Sequence, residues 1–160
     1  MILTGPTIAE AVASGDIILS PYNQHDINPN SYNYHLGPTI IDENGKTMEI
    51  AEDGMIFEKG KMYLGSTAEV IGSQRYAMSL IGRSSMGRLG LFLQVSANLG
   101  HRGSAHRWTL ELYFARSLKL YPGMCVGQVS FWINQGSGQE YIGKYAKENK
   151  PFPSLLRMPK

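Results

Sequence analysis

The feature that most constrains the fold is the spacing of short apolar or alternating runs along this 160-residue chain. Clusters of Gly, Pro, Asn and Asp separate the runs at intervals of about ten residues, which is typical of strands in a sandwich or barrel. The one helical pattern before the C-terminal tail lies at residues 6–14, where Pro6 stands at the first helical position and Gly15 follows the end. The sequence therefore predicts an all-β fold with a short N-terminal helix. The predicted strands cover residues 16–21, 32–36, 39–41, 47–50, 62–71, 76–81, 89–96, 107–114, 118–121 and 124–132.

Length and composition indicate a single domain spanning residues 1–160, of which residues 141–160 form a C-terminal tail. The single cysteine, Cys125, excludes an intramolecular disulfide, and the four histidines do not form a zinc-binding pattern with it. We interpret Cys125 as a buried apolar residue. The N-terminus lacks a basic region followed by an apolar core, and no apolar run approaches about 18 residues. A cytoplasmic protein with no membrane partner is therefore expected.

Charge is distributed unevenly, although the net charge is only +2. Acidic residues cluster at residues 42–58, whereas residues 73–119 contain seven Lys or Arg residues and a single carboxylate, Glu111. The mild net charge, with aromatic residues not interleaved among the arginines, argues against a nucleic-acid partner. The pattern favours a small anionic ligand bound near the centre of the chain.

The central basic segment contains the run Gly-Arg-Ser-Ser-Met-Gly-Arg-Leu-Gly-Leu at residues 82–91. Arg83, Ser84 and Ser85 place side-chain and backbone hydrogen-bond donors in a compact turn, which suits phosphate oxygens. The alternative is a charged surface turn in which the glycines only permit tight backbone geometry. Short motifs of this kind leave both interpretations open.

Glu111 lies in a predicted strand, residues 107–114, whose side chains alternate between two faces. The apolar side chains occupy one face, and Glu111 lies on the other. An ionised carboxylate in a positive neighbourhood can accept and return a proton at neutral pH. The alternative is a structural ion pair with Arg88 or Arg107 that joins two strands.

Together these segments resemble the deoxycytidine triphosphate (dCTP) deaminase family, within the deoxyuridine triphosphatase (dUTPase)-like superfamily. Residues 82–91 match its G-R-S-S-x-x-R-x-G-L signature, and residues 29–37 match P-x-S-h-D-h-x-L-G except at Asn33, where the family has Asp. In the tail, residues 141–151 match Y-x-G-K-Y-x-x-Q-x-x-P except at Glu148. The resemblance implies a dUTPase-like distorted β-barrel or β-clip, jelly-roll-like, with a tail that closes over the bound triphosphate.

The same resemblance implies a zinc-independent hydrolytic deamination of a deoxycytidine nucleotide, in which Glu111 is the general acid/base. Arg88, which precedes Glu111 by the family's own interval of 23 residues, would orient Glu111 and the water, and Ser84 would hold the water or the departing ammonia. Ala97 would accept a hydrogen bond through its carbonyl. Implied nucleotide and phosphate contacts are Arg83, Ser84, Ser85, Tyr141, Lys144, Tyr145 and Glu148, and implied sugar or base contacts are Asn98, His101 and Gln128.

The resemblance further implies a homotrimer with sites between subunits and Mg²⁺ carried by the nucleotide phosphates. Three departures from the family pattern fall on binding positions: His101 replaces a sugar-binding Asp, Ser104 a Trp, and Glu148 a phosphate-binding Gln. His101 and Glu148 predict a changed substrate preference. Two alternatives stay open, a nucleotide pyrophosphatase of dUTPase type, disfavoured by His101, and a nucleotide-binding regulator without turnover.

Overall fold

The computed structural model describes residues 1–145 and 148–156 of the chain. Within these residues the fold consists of fifteen short strands, two helices and one 3₁₀ turn at Gln24–Asp26. The helices are α1 (Gly5–Ser14) and α2 (Ser84–Leu89). The strands are β1 (Ile17–Ser20), β2 (Ile27–Asn28), β3 (Ser31–His35), β4 (Thr39–Ile41), β5 (Thr47–Glu49), β6 (Met55–Phe57), β7 (Met62–Ser66), β8 (Val70–Ser73), β9 (Tyr76–Gly82), β10 (Leu91–Leu93), β11 (Leu99–Gly100), β12 (Ser104–His106), β13 (Thr109–Phe114), β14 (Leu118–Leu120) and β15 (Cys125–Ile133).

Two five-stranded antiparallel sheets form the body of the fold. One has the strand order β10-β13-β7-β4-β5 and the other the order β11-β9-β15-β3-β2. A three-stranded sheet, β1-β8-β12, and a β14-β6 ribbon complete it. The core contains Tyr34 and Phe131 from the β9-containing sheet, and Leu112 and Phe114 from the β13-containing sheet, all fully buried. Burial of such a side chain contributes roughly 1.5–3 kcal/mol, so the alternation along these strands stabilises the predicted all-β architecture.

Helix α1 begins one residue earlier than predicted and ends at Ser14 as predicted. Gly15 follows it in the left-handed conformation, with φ of 82°, and donates its N–H to the Val12 carbonyl. Ile8, on the inner face of α1, is fully buried. No helix among the described residues is both long enough and apolar enough to span a membrane.

The predicted strand at residues 89–96 is largely wrong. Residues Ser84–Leu89 form α2, Gly90 reverses the chain, and only Leu91–Leu93 pair as a strand. Gly90 adopts φ of 99°, and a Cβ there would lie 3.2 Å from the Arg116 backbone nitrogen, so this reversal requires glycine. The buried Met86 anchors the helix. A six-residue helix with one buried side chain has too little periodicity to be seen in the sequence.

The predicted strand at residues 62–71 is split into β7 and β8. Thr67 causes the break, because its N–H bonds the Trp108 carbonyl and its hydroxyl donates to the Glu69 carbonyl at 2.7 Å. The sheet ladder therefore ends at Ser66. The alternation predicted around Glu111 is confirmed, since Leu110, Leu112 and Phe114 are buried and Glu111 lies on the opposite face.

Candidate active site

The Arg83 turn joins β9 to α2. The Arg83 N–H bonds the Val126 carbonyl, and the Arg83 guanidinium donates to the Cys125 sulfur at 3.1 Å. Burial raises the pKa of the Cys125 thiol despite the opposing charge of Arg83, so this partner is a neutral, weak acceptor at pH 7. Cys125 is half-buried rather than the buried apolar residue that was predicted. No carboxylate of the described residues forms an ion pair with Arg83, which keeps its charge available for an anion.

The side chains that follow Arg83 are open to solvent. Ser84, Ser85 and Arg88 are exposed, and within residues 1–145 and 148–156 their side chains have no hydrogen-bond or ion-pair partner. Four donor-bearing side chains therefore lie within six residues, from Arg83 just before α2 to Arg88 in its last turn. This arrangement can bind phosphate oxygens, and the role remains a prediction.

Glu111 lies in β13, opposite Leu64 of β7. Glu111 is half-buried, and its carboxylate forms no ion pair with any described residue. Arg107, one of the partners considered for a structural ion pair, instead donates from Nε to the Ala68 carbonyl at 3.0 Å. A carboxylate without a cationic partner is free to accept a proton from a bound water.

Gln94 joins Glu111 to Ala97. The Gln94 Oε1 accepts the Glu111 backbone N–H at 2.7 Å, and its Nε2 donates to the Ala97 carbonyl at 3.2 Å. The Gln94 N–H also bonds the Glu111 carbonyl at 3.3 Å. Two of the predicted catalytic residues are thus brought together through a residue that the sequence analysis missed. A glutamine beyond a short strand carries no motif signal that could have identified it.

The predicted catalytic group is not completed within one chain. Arg88 and Ser84 form no hydrogen bond or ion pair with Glu111 among the described residues. Residues from α2 lead into β10, whose Leu91 and Leu93 pair with Phe114 and Leu112 of β13. One chain therefore presents two groups of predicted site residues. The first is Ser84 and Arg88 on α2, and the second is Glu111 on β13 with Gln94 and Ala97, which follow β10.

Of the three predicted sugar or base contacts, Asn98 and Gln128 form side-chain hydrogen bonds within the β9-containing sheet, and His101 lies at a cleft. The Asn98 side chain donates to the Ser79 hydroxyl at 3.1 Å. The exposed His101 ring stacks on Tyr141 at 5.2 Å and lines a polar cleft of 590 Å³. Gln128 pairs with Ile81 next to Gly82 and accepts the Ser31 hydroxyl at 2.6 Å. Asn98 and Gln128 therefore lie on either side of β9, because the Leu80 N–H bonds the Asn98 carbonyl and Ile81 pairs with Gln128.

The tail packs against its own chain. His106 lies 3.1 Å from the Glu148 carbonyl, the Arg107 N–H bonds the Asn149 side chain, and the Phe152 N–H bonds the Thr109 hydroxyl. The Tyr145 hydroxyl accepts the Leu155 N–H, and Lys144 is exposed. Residues 146–147 and 157–160 of the predicted tail lie outside the described residues. Closure over a nucleotide remains a prediction.

The half-buried His35 and the buried Glu69 form an ionisable pair at β3, the strand next to Cys125. The His35 Nδ1 lies 2.5 Å from the Glu69 carboxylate, which also accepts the His35 backbone N–H at 3.0 Å. Asp26 lies 3.7 Å from the other ring nitrogen. His35 pairs across the sheet with Cys125, the residue that contacts Arg83. This cluster was not predicted, because nothing in the sequence indicates that positions 35 and 69 meet.

Comparison with known proteins agrees with the resemblance drawn from the motifs. Residues 2–134 match the sequence model of the "DCD: dCTP deaminase-like" family. A Cytophaga hutchinsonii protein named "dCTP deaminase, dUMP-forming" is 39% identical over 98% of this chain and 96% of its own. A Clostridium beijerinckii protein of the same name is 38% identical over the same shares.

A solved structure supports the fold. The crystal structure of the 2′-deoxycytidine 5′-triphosphate deaminase from Agrobacterium tumefaciens superposes with a TM-score of 0.70. The match covers 83% of this chain at 17% identity and 48% of that chain, so this chain spans about half of it. Together with the strands described above, it confirms the predicted all-β fold class.

Proposed function

The chain belongs to the dCTP deaminase-like family, and from that premise we propose that it deaminates a deoxycytidine nucleotide, dCTP or a close relative, by hydrolysis. The products are the deoxyuridine nucleotide and ammonia. The observation that carries this proposal is the half-buried Glu111, whose carboxylate has no cationic partner among the described residues and whose backbone N–H is joined to the Ala97 carbonyl by the Gln94 side chain. A proton-accepting group beside a hydrogen-bond acceptor for water is what hydrolysis at C4 of cytosine requires.

In the proposed reaction, Glu111 takes a proton from water while the water oxygen bonds to C4 of the ring. The C4 carbon becomes tetrahedral as the electron pair of the C4=N3 bond moves to N3, and Glu111 returns the proton to the amino group, so that the bond from C4 to the amino nitrogen breaks and ammonia leaves. The remaining hydroxyl proton moves to N3, which leaves the C4 carbonyl of the uracil ring. The Ala97 carbonyl accepts a hydrogen bond from the water and fixes its direction. Ser84 and Arg88 of a neighbouring copy would orient the carboxylate and the water, because within one chain they form no hydrogen bond or ion pair with Glu111 among the described residues.

The activation of water in this proposal requires no zinc. Among the described residues no group of three or more His, Cys, Asp and Glu side chains is placed to hold a metal ion. The positive, donor-rich turn at Arg83, Ser84 and Ser85 fits nucleotide phosphates, which would carry Mg²⁺ with their own oxygens and water as ligands.

We propose that three copies assemble so that the two groups meet between subunits. The outward face of the β9-containing sheet carries three exposed apolar side chains, Ile81 at 40%, Leu99 at 60% and Trp132 at 43%. The cross-strand pairs place them on one face, opposite the core. Exposed apolar surface beside an incomplete site suits contact with another copy of the chain.

Light scattering at micromolar concentration is expected to give about three times the chain mass of 17.7 kDa. Trp132→Asp should lower the mass and the ammonia release together. Ile56→Asp is the matched control, because Ile56 is 66% exposed on β6, outside that face. A stable monomer of the unmodified chain that releases ammonia would contradict the assembly.

The names of the two relatives favour a second step, because both are dUMP-forming. Conversion of dCTP to dUMP consumes two waters and yields ammonia and pyrophosphate. His101 stands where the family has a sugar-binding Asp, and its exposed ring at the cleft is available to a nucleotide. If this chain performs both steps, ammonia and pyrophosphate should appear in equal amounts from dCTP, without accumulation of dUTP.

The deciding experiment measures ammonia and pyrophosphate from the mono-, di- and triphosphates of deoxycytidine and cytidine. Ammonia from at least one deoxycytidine nucleotide is expected. Pyrophosphate from dUTP without ammonia from any cytidine nucleotide would identify a pyrophosphatase. Nucleotide binding with neither product would identify a regulator.

A further inference from the structure

We propose that Gln94 is a positioning residue that fixes the Ala97 carbonyl relative to Glu111, and this inference rests on the proposed deamination. Its side-chain amide contacts both segments at once, at 2.7 Å and 3.2 Å. The partners define which end of the amide faces which segment. The Glu111 N–H can only donate, so it must face Oε1, and the Ala97 carbonyl can only accept, so it must face Nε2.

The backbone of Gln94 supports a role for the side chain. Gln94 has φ of 48°, and among the residues that the structure describes it is the one non-glycine residue with positive φ. Glutamine is uncommon in this left-handed region, which glycine, asparagine and aspartate adopt more readily. The chain thus places a long amide at a turn where glycine would cost less, and the two side-chain hydrogen bonds offset that cost.

The segment that Gln94 fixes has few other supports. Strand β10 ends at Leu93, and Val95 is 75% exposed. Pairing resumes only near Asn98, whose carbonyl accepts the Leu80 N–H at 2.9 Å. Ala97 therefore lies between two anchors, and Gln94 is the anchor that connects it to the Glu111 strand.

Gln94 leaves the Ala97 carbonyl able to act in the reaction. A carbonyl oxygen has two lone pairs, and the Gln94 amide uses one of them. The other can accept a hydrogen bond from the attacking water. Because reaction rates depend steeply on the placement of reacting groups, a shift of this carbonyl by about 1 Å would lower kcat on the order of a hundredfold.

Two substitutions separate positioning from folding. Gln94→Glu keeps an acceptor for the Glu111 N–H and removes the donor to Ala97. Gln94→Gly removes both contacts but relieves the left-handed backbone, so it should not destabilise the turn. Gln74→Ala, at an exposed glutamine outside the site, is the control. For each variant, kcat and KM for dCTP deamination are measured beside Tm and oligomeric mass.

The expected result is a fall in kcat of about a hundredfold for both Gln94 variants, with KM within about threefold and Tm close to that of the parent. A parent-like kcat in either variant would overturn the role of Gln94 while leaving the deaminase intact. A clearly lower Tm in both variants would also overturn the positioning role, because Gln94 would then be required for the stability of the fold. If the parent releases no ammonia from any cytidine nucleotide, the proposed function fails first, and this role fails with it.

Discussion

Replacing Arg83 with alanine is expected to weaken nucleotide binding strongly and protein stability little. Arg83 has no carboxylate partner among the described residues, and its contact at Cys125 is with a weak acceptor. The loss of a charge-assisted hydrogen bond to phosphate costs roughly 1.5–3 kcal/mol, which is about a 10- to 150-fold increase in Kd. Little else is lost, because the Arg83 backbone bond to Val126 does not depend on the side chain.

The assay is calorimetric titration of dCTP into Arg83→Ala in a Glu111→Gln background, which prevents turnover. Measurements at low and at moderate salt separate a direct phosphate contact from a general field effect. Arg116→Ala is the matched control, because Arg116 is an exposed arginine that no predicted contact includes. Unchanged affinity of Arg83→Ala at low salt would remove Arg83 from the phosphate site. An equal loss in Arg116→Ala would show that only net charge matters.

Three further predictions concern the groups around the site. His35→Ala should lower the free energy of unfolding by about 3 kcal/mol at fixed protein concentration, because it leaves the buried Glu69 carboxylate without its partner; an effect as small as that of Lys61→Ala, at an exposed pair, would contradict this. Glu148→Gln should raise kcat/KM for the triphosphate relative to the monophosphate about fivefold, since a carboxylate repels a terminal phosphate by on the order of 1 kcal/mol; a parent preference above about a hundredfold for the deoxy triphosphate would refute the changed preference assigned to His101 and Glu148. Cys125 should react with a thiol reagent at pH 7.5 more slowly than a free cysteine, because burial raises its pKa and the thiolate forms only at higher pH. Arg83→Ala should slow the reaction of Cys125 further, because the charge of Arg83 opposes that rise in pKa. A reaction faster than that of a free cysteine, in either protein, would show that the thiolate is stabilised.

The strand pattern could be predicted because side chains alternate between core and solvent along β13, and this alternation alone places Glu111 off the apolar face. The short helix α2 could not be predicted from the sequence. Its one buried side chain is Met86 and its end is set by Gly90, and neither residue gives a periodic pattern of apolar side chains. The sequence predicts the Arg83 turn as an anion-binding segment because the turn contains several hydrogen-bond donors. The contact of Arg83 with Cys125 could not be predicted, because it depends on the pairing of distant strands.

The candidate site was only partly predictable for a similar reason. Residue types identified Glu111, and the family resemblance supplied Ala97, but the amide that joins them comes from Gln94, whose importance depends on a left-handed backbone. The resemblance groups Gln128 with Asn98, but only the strand register shows that the two residues lie on either side of β9. Long-range register depends on the whole hydrogen-bonded sheet, which a motif of a few residues does not report.

The central claim is that Glu111 transfers the proton in deamination, and ammonia release by Glu111→Gln with dCTP tests it most directly. Glutamine keeps the size and hydrogen bonding of the side chain but cannot accept the proton from water. The account predicts that ammonia release falls by at least about a hundredfold, while Kd for dCTP stays within about tenfold and the variant stays folded. Ammonia release at the parent rate, or an unfolded variant beside a stable parent, would contradict it.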